Sequence, residues 1–148
     1  MSKRLVILTT HFGTEFSGGS TATCEIFSRL EHHFDQIVVI GTELGEHPFQ
    51  KLYFEKYGNR KTLYELIKKH QSAGTVNYGD FFNSTAFADR NVPFYFTYHD
   101  NWPELAQSSF NHWLQGFKYI PAYKKIFSAA SHTFTSRNVL ESLKPMVK

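Results

Sequence analysis

Positions 5–8 (Leu5, Val6, Ile7, Leu8) form an apolar run with no polar break, the pattern of a strand buried on both faces. From Ala22 the period lengthens. Ala22, Ile26, Leu30 and Phe34 recur at every fourth position with Phe27 beside them, which predicts a helix carrying that stripe inward. Between strand and helix, positions 11–20 are polar and glycine-bearing, and Gly18-Gly19 stand just ahead of the expected helix start. A second apolar run at 37–40 predicts a strand closed by Gly41, and Gly45 and Pro48 mark a loop. Positions 49–57 mix aromatic and charged residues and fit a strand or an irregular lead-in. Thr62 and Glu65 match a capping box, with Leu63, Leu66, Ile67 and His70 following at helical spacing and Gly74 as the stop.

Positions 75–78 predict a third strand ending at Gly79-Asp80, and Asn83 or Ser84 suits the cap of a short helix through Ala86 and Phe87. Positions 94–98, Phe-Tyr-Phe-Thr-Tyr, are dense in strand formers, and His99-Asp100 follow them. Positions 110–130 have helical spacing, with a break expected near Pro121. A short strand at 131–135 and a short helix at 138–144 complete the chain. Strands alternating with helices predict one α/β domain over 1–148, Rossmann-like, with a parallel sheet and helices on both faces. Ligands in such sheets bind beyond the carboxyl ends of the strands. That rule gathers the 11–20 loop, Gly79-Asp80, His99-Asp100 and Ser136-Arg137 on one rim.

A glycine pair before a helix lets backbone N–H groups approach a ligand, and the helix terminus adds partial positive charge, which suits a phosphate or diphosphate. The competing reading is an ordinary strand-to-helix turn whose glycines meet only steric needs. Two familiar phosphate loops are excluded. Gly13, Gly18 and Ser20 fit the spacing G-x-x-x-x-G-K-[ST], but Gly19 stands where the lysine must be. The fingerprint G-x-G-x-x-G is absent, which disfavours a nicotinamide oxidoreductase although Glu43 follows the second strand where a ribose-binding acid could sit.

Composition narrows the classes further. Aromatics make up 17% of the chain, which argues against disorder. A net charge of +3 is too mild to imply nucleic acid. The single cysteine, Cys24, rules out an internal disulfide framework and fits a small packing residue. Ser2-Lys3-Arg4 lead into a short strand, so no signal peptide is expected, and no apolar run approaches the ~20 residues of a membrane span.

Four segments together resemble the N-terminal domain of a GT-B glycosyltransferase of the group 1, or family 4, type. They are the strand leading to Gly18-Gly19; Val76-Asn77-Tyr78-Gly79-Asp80; Val92-Pro93-Phe94-Tyr95-Phe96-Thr97-Tyr98-His99-Asp100; and Ala130-Ser131-His132-Thr133-Phe134-Thr135-Ser136. The resemblance covers nearly the whole chain. It implies a metal-independent transferase without a cofactor, using a nucleotide-diphosphate sugar as co-substrate and a saccharide or a lipid-linked acceptor. It implies that Gly18, Gly19 and Ser20 bind the donor diphosphate and that His99 is catalytic, facing the donor sugar. Asp80, Asp100, Ser136 and Arg137 would bind the acceptor. The sequence ends at Lys148 before the glutamate pair and Arg/Lys pair of the family's donor half. The expectation is therefore an acceptor-side domain, inactive alone, from a cytoplasmic enzyme of cell-surface polysaccharide or glycolipid synthesis that is peripheral at the inner face of the membrane. The alternative is a non-catalytic module holding a saccharide or phosphate on the same rim.

The segment 110–130 carries Lys118, Lys124 and Lys125, no acidic residue, and Trp113, Phe117, Tyr119, Tyr123 and Phe127. Two roles fit it: a core helix whose aromatics pack on the sheet, or a basic helix making weak contact with an anionic membrane surface.

Overall fold

The apolar run at the start of the chain becomes the middle of a sheet. The computed structural model describes residues 2–80, 82–98 and 106–134. In chain order these form β1 (Arg4–Leu8), β2 (His11–Phe12), α1 (Gly18–Leu30), β3 (Gln36–Gly41), β4 (Glu43–Leu44), β5 (Leu52–Lys56), α2 (Arg60–His70), β6 (Val76–Gly79), α3 (Thr85–Asp89), β7 (Tyr95–Tyr98), α4 (Phe110–Ala129) and β8 (Ser131–Phe134). Single 3-10 turns lie at Glu31–His33 and Phe82–Ser84.

Six strands make one parallel sheet in the order β5-β3-β1-β6-β7-β8. β1 is central, its Val6 in register with Val38 of β3 and Asn77 of β6. The strand order runs outward from β1 to β5, then α2 carries the chain back across to β6 and the order runs the other way. This is the doubly wound Rossmann order, with its reversal between β1 and β6. Alternation along β1 feeds both faces. Leu5 and Ile7 join Ile37, Val39, Cys24, Phe12 and Tyr78 beneath α1. Val6 and Leu8 join Val38, Ile40, Leu63, Ile67, Phe87, Phe96, Tyr98 and Phe127 beneath α2, α3 and α4.

The connection from β3 to β5 is the expected loop, and its β4 pairs in parallel with β2, His11 opposite Glu43 and Phe12 opposite Leu44. Three local expectations change. α2 starts one turn's width earlier than Thr62 suggested. Asn59 is the cap, accepting from the Thr62 N–H at 2.9 Å while the Thr62 hydroxyl accepts from the Asn59 N–H at 3.1 Å. α4 runs unbroken through Pro121. The proline removes one N–H from the ladder, yet the following turns are held in place by buried Tyr123, Ile126 and Phe127.

The third change concerns α1. Ile26 is 49% exposed and Leu30 39%, so these two members of the stripe face outward, while Phe27 and Phe34 pack on the core. The buried face is Ser20, Thr23 and Cys24, with Phe27 half-buried. Polar side chains can occupy that face because each hydroxyl has a partner there. Ser20 Oγ donates to the His11 carbonyl at 3.1 Å, and Thr23 Oγ1 reaches the Gly19 carbonyl at 2.9 Å and Asp80 Oδ2 at 2.8 Å. The expected helix at 138–144 lies outside the described residues.

Candidate ligand rim at the strand-order reversal

The loops leaving β1 and β6 meet where the strand order reverses, and the first of them ends at the N-terminus of α1. Ser17 is the cap: its backbone is extended and its Oγ accepts from the Ser20 N–H at 3.2 Å. Gly18 and Gly19 are thus the first two helical residues, not residues ahead of the helix. Amides in a helix's first turn have no intrahelical acceptor. The first turn of α1 holds no acidic residue. A Cβ built on Gly18 would meet nothing within 4 Å, and Gly18 does not have a positive φ. Neither crowding nor backbone conformation demands glycine there. What its missing side chain provides is an open path to the helix terminus.

The loop before α1 is stiff. Gly13 has a φ of +154° and a Cβ there would lie 3.0 Å from the Gly45 Cα, so glycine is required by both conformation and contact. Thr14 N–H donates to the Glu46 carbonyl at 2.9 Å, Gly45 N–H to the Phe12 carbonyl at 2.8 Å, and Glu46 N–H to Glu15 Oε1 at 3.2 Å. The His11 ring stacks on Phe16 with centroids 5.1 Å apart. Asn83 Nδ2 donates to Tyr57 Oη at 2.6 Å and lies 3.1 Å from Thr10 Oγ1, tying the loop after β6 to those after β1 and β5.

Behind the rim lies Asp80. Its side chain is buried, with Oδ2 accepting from Thr23 and Oδ1 lacking a partner among the described residues. Burial pushes its pKa up to about 7, against the pull of nearby Thr23 and Thr9. Thr9 gives its own hydroxyl proton to the His11 carbonyl, 3.0 Å away. Ser84 Oγ is also buried and without a partner among the described residues. It sits so close to β6 that a Cβ on Gly79 would fall 1.9 Å from it.

The expected site residues therefore separate. Gly18 and Gly19 lie on the rim at the helix terminus. Ser20 is buried, its hydroxyl fastened to His11, so it braces the loop instead of facing a ligand. Asp80 lies under α1, bonded to Thr23, and does not present a carboxylate to the open rim. His99, Asp100, Ser136 and Arg137 lie outside the described residues. Sequence reasoning missed Ser17, although a serine directly before a glycine pair and a helix is a legible cap. It also missed the Thr23–Asp80 bond, which joins residues 57 positions apart and has no local signal.

No cluster of three metal-ligating side chains occurs among the described residues. A concavity of about 380 Å³ is lined by Ile67, Lys68, Gln71, Arg90 and Val92. These residues close α2 and lead into β7, which puts the concavity at the amino edge of the sheet, opposite the rim. No protein-family model matches the chain, and no curated protein matches it.

Proposed function

We propose that the chain is the acceptor-side domain of a GT-B-type glycosyltransferase, and that the N-terminus of α1 takes the diphosphate of a nucleotide-diphosphate sugar. The observation that carries this reading is Gly18. It is a helix-initiating glycine at the strand-order reversal, under no steric or conformational need, beside a capped terminus free of acidic residues. Backbone N–H groups and the helix dipole fixed at that point would stabilise negative charge as it builds on a leaving diphosphate. The interlocked loops at Gly13 and Gly45 support the reading, because donors held rigid before the reaction need no reorganisation during it. The resemblance in sequence order supplies the sugar and the transfer; the rim supplies the anion site.

Calorimetric titration of the purified chain with nucleosides, nucleoside diphosphates, nucleotide-diphosphate sugars and the free sugars tests the proposal. Saturable binding that requires the diphosphate is expected. Binding of the sugar alone, or of nucleoside and nucleoside diphosphate equally, overturns the diphosphate assignment.

A further inference from the structure

The role of α4 divides along its length. Its second half is core: Tyr123, Ile126 and Phe127 are buried against β7. Its first half is not. Phe110 is 71% exposed, Trp113 50%, Leu114 48% and Phe117 66%. These residues stand at i, i+3, i+4 and i+7, so they form one stripe on one face. The rings touch in series, Phe110 to Trp113 at 5.8 Å and Trp113 to Phe117 at 4.8 Å between centroids. Beside them lies a shallow apolar hollow of about 250 Å³, lined by Ala106, Trp113, Gly116, Phe117, Ile120 and Pro121. Isolated exposed apolar residues need no explanation, but a contiguous ridge of this kind marks an interaction surface.

Charge selects the partner. The helix contains Lys118, Lys124 and Lys125 and no acidic residue. Lys124 continues the aromatic stripe two turns beyond Phe117 and is exposed. Lys118 lies 4.9 Å from the Phe82 ring centroid on the flank of the ridge. Lys125 pairs with Asp89 and is the least available of the three. Two copies of this chain joined ridge to ridge in parallel would set lysine against lysine. Joined antiparallel, they would lay each Lys124 across the partner's aromatics. An anionic bilayer satisfies both halves at once, with aromatic rings at headgroup level and lysines on lipid phosphates.

Topology places the ridge. β7 and β8 are parallel and α4 connects them, so α4 runs against the strands and its Phe110 end lies at their carboxyl edge. That edge also bears the rim at α1. No helix among the described residues is long and apolar enough to cross a membrane.

We infer that Phe110, Trp113, Leu114 and Phe117, flanked by Lys118 and Lys124, dock the domain on an anionic lipid surface with its ligand rim turned toward that surface. The inference stands whether or not the rim binds a diphosphate. The test is co-sedimentation of the purified chain with vesicles of phosphatidylcholine alone or with added phosphatidylglycerol, at low and high salt. Binding is expected only with the anionic lipid, and it weakens with salt. Replacing both Lys118 and Lys124 by glutamine lowers partitioning by roughly thirtyfold, the factor for two lysines near an anionic surface. Phe110→Ser with Phe117→Ser abolishes it. All four side chains are exposed, so the variants keep the wild-type circular dichroism and melting temperature. Binding lost together with that melting profile counts against the serine result; the glutamine variant then decides. Equal binding to neutral vesicles, no binding to anionic ones, or no effect of the glutamine pair overturns the inference. So does a wild-type dimer in sedimentation velocity that the serine changes convert to a monomer, because the ridge would then be a contact between copies.

Discussion

Gly18→Asp separates what helix α1 needs from what its N-terminus would bind. A Cβ at this position meets nothing within 4 Å and the backbone is not left-handed, so aspartate fits without displacing a neighbour. For the helix the change is favourable. Aspartate gains about 0.3 kcal/mol over glycine in intrinsic preference, and a carboxylate in the first turn gains about 0.3–1 kcal/mol from the dipole. The sum, about 0.6–1.3 kcal/mol, raises the melting temperature by about 1–5 °C for a chain of this size. For an anionic ligand the same carboxylate is repulsive. One charge pair at 4 Å is worth about 1 kcal/mol in water and about 4 at an effective dielectric of 20, and an open rim lies between. A diphosphate brings more than one such pair, so affinity should fall by at least about tenfold. Gly18→Asn is the control, nearly the same size without the charge. The assays are a thermal melt and calorimetric titration of a nucleoside diphosphate against all three proteins. Aspartate and asparagine variants that bind alike would refute the anion site, and an aspartate variant less stable than wild type would refute the helix-terminus geometry beneath it.

Asp80 gives the fold a pH signature. Its pKa is raised from 3.8 to about 7 by burial, so between those values the folded state holds a proton that the unfolded state has released. Stability from this group is complete below about pH 4 and declines as pH rises toward 7, by an amount on the order of 4 kcal/mol at most; Asp80→Asn should remove that slope, and matching slopes in thermal melts from pH 4 to 8 would contradict the buried carboxyl. Gly79→Ala drives a methyl group to within 1.9 Å of Ser84 Oγ. It should cost about 1–3 kcal/mol, partly recovered by adding Ser84→Gly, and additive losses in denaturant unfolding would show that the two positions are not in contact. Asn59→Ala removes the α2 cap and should cost about 1 kcal/mol, or about 2–4 °C, in a thermal melt; an unchanged melt would dismiss the cap.

What the sequence made legible follows from how local each signal is. β1 and β3 were readable because four consecutive apolar residues can only be a doubly buried strand in a sheet of this kind. β7 was readable from its aromatic and β-branched density. Once strands and helices alternated, the carboxyl-edge rule pointed to the rim before any coordinates. The inward face of α1 was not readable. The period of Ala22, Ile26 and Leu30 was correct for a helix, but hydrophobicity chose the wrong side. The true inner face is Ser20, Thr23 and Cys24, and its hydroxyls are tolerated inside only because His11, Gly19 and Asp80 are there to receive them. Gly19 belongs to α1, but His11 lies in β2 and Asp80 just past β6, so no window on α1 alone contains the information.

The burial of Asp80 was equally illegible. An aspartate after a strand, next to a glycine, reads as a rim residue, and only the arrival of α1 above it turns that carboxyl inward. Its consequence is mechanical. Thr23, held by Asp80, also reaches the Gly19 carbonyl, so the carboxyl at the end of β6 and the second residue of α1 share one hydroxyl. Ser20 fastens the same turn to His11 on the other side. The helix terminus proposed to take the diphosphate is thereby fixed to the segments that follow β1 and β6, on the two sides of the reversal. Polar residues buried beneath α1 therefore hold that terminus in place even though none of them lies on the open rim.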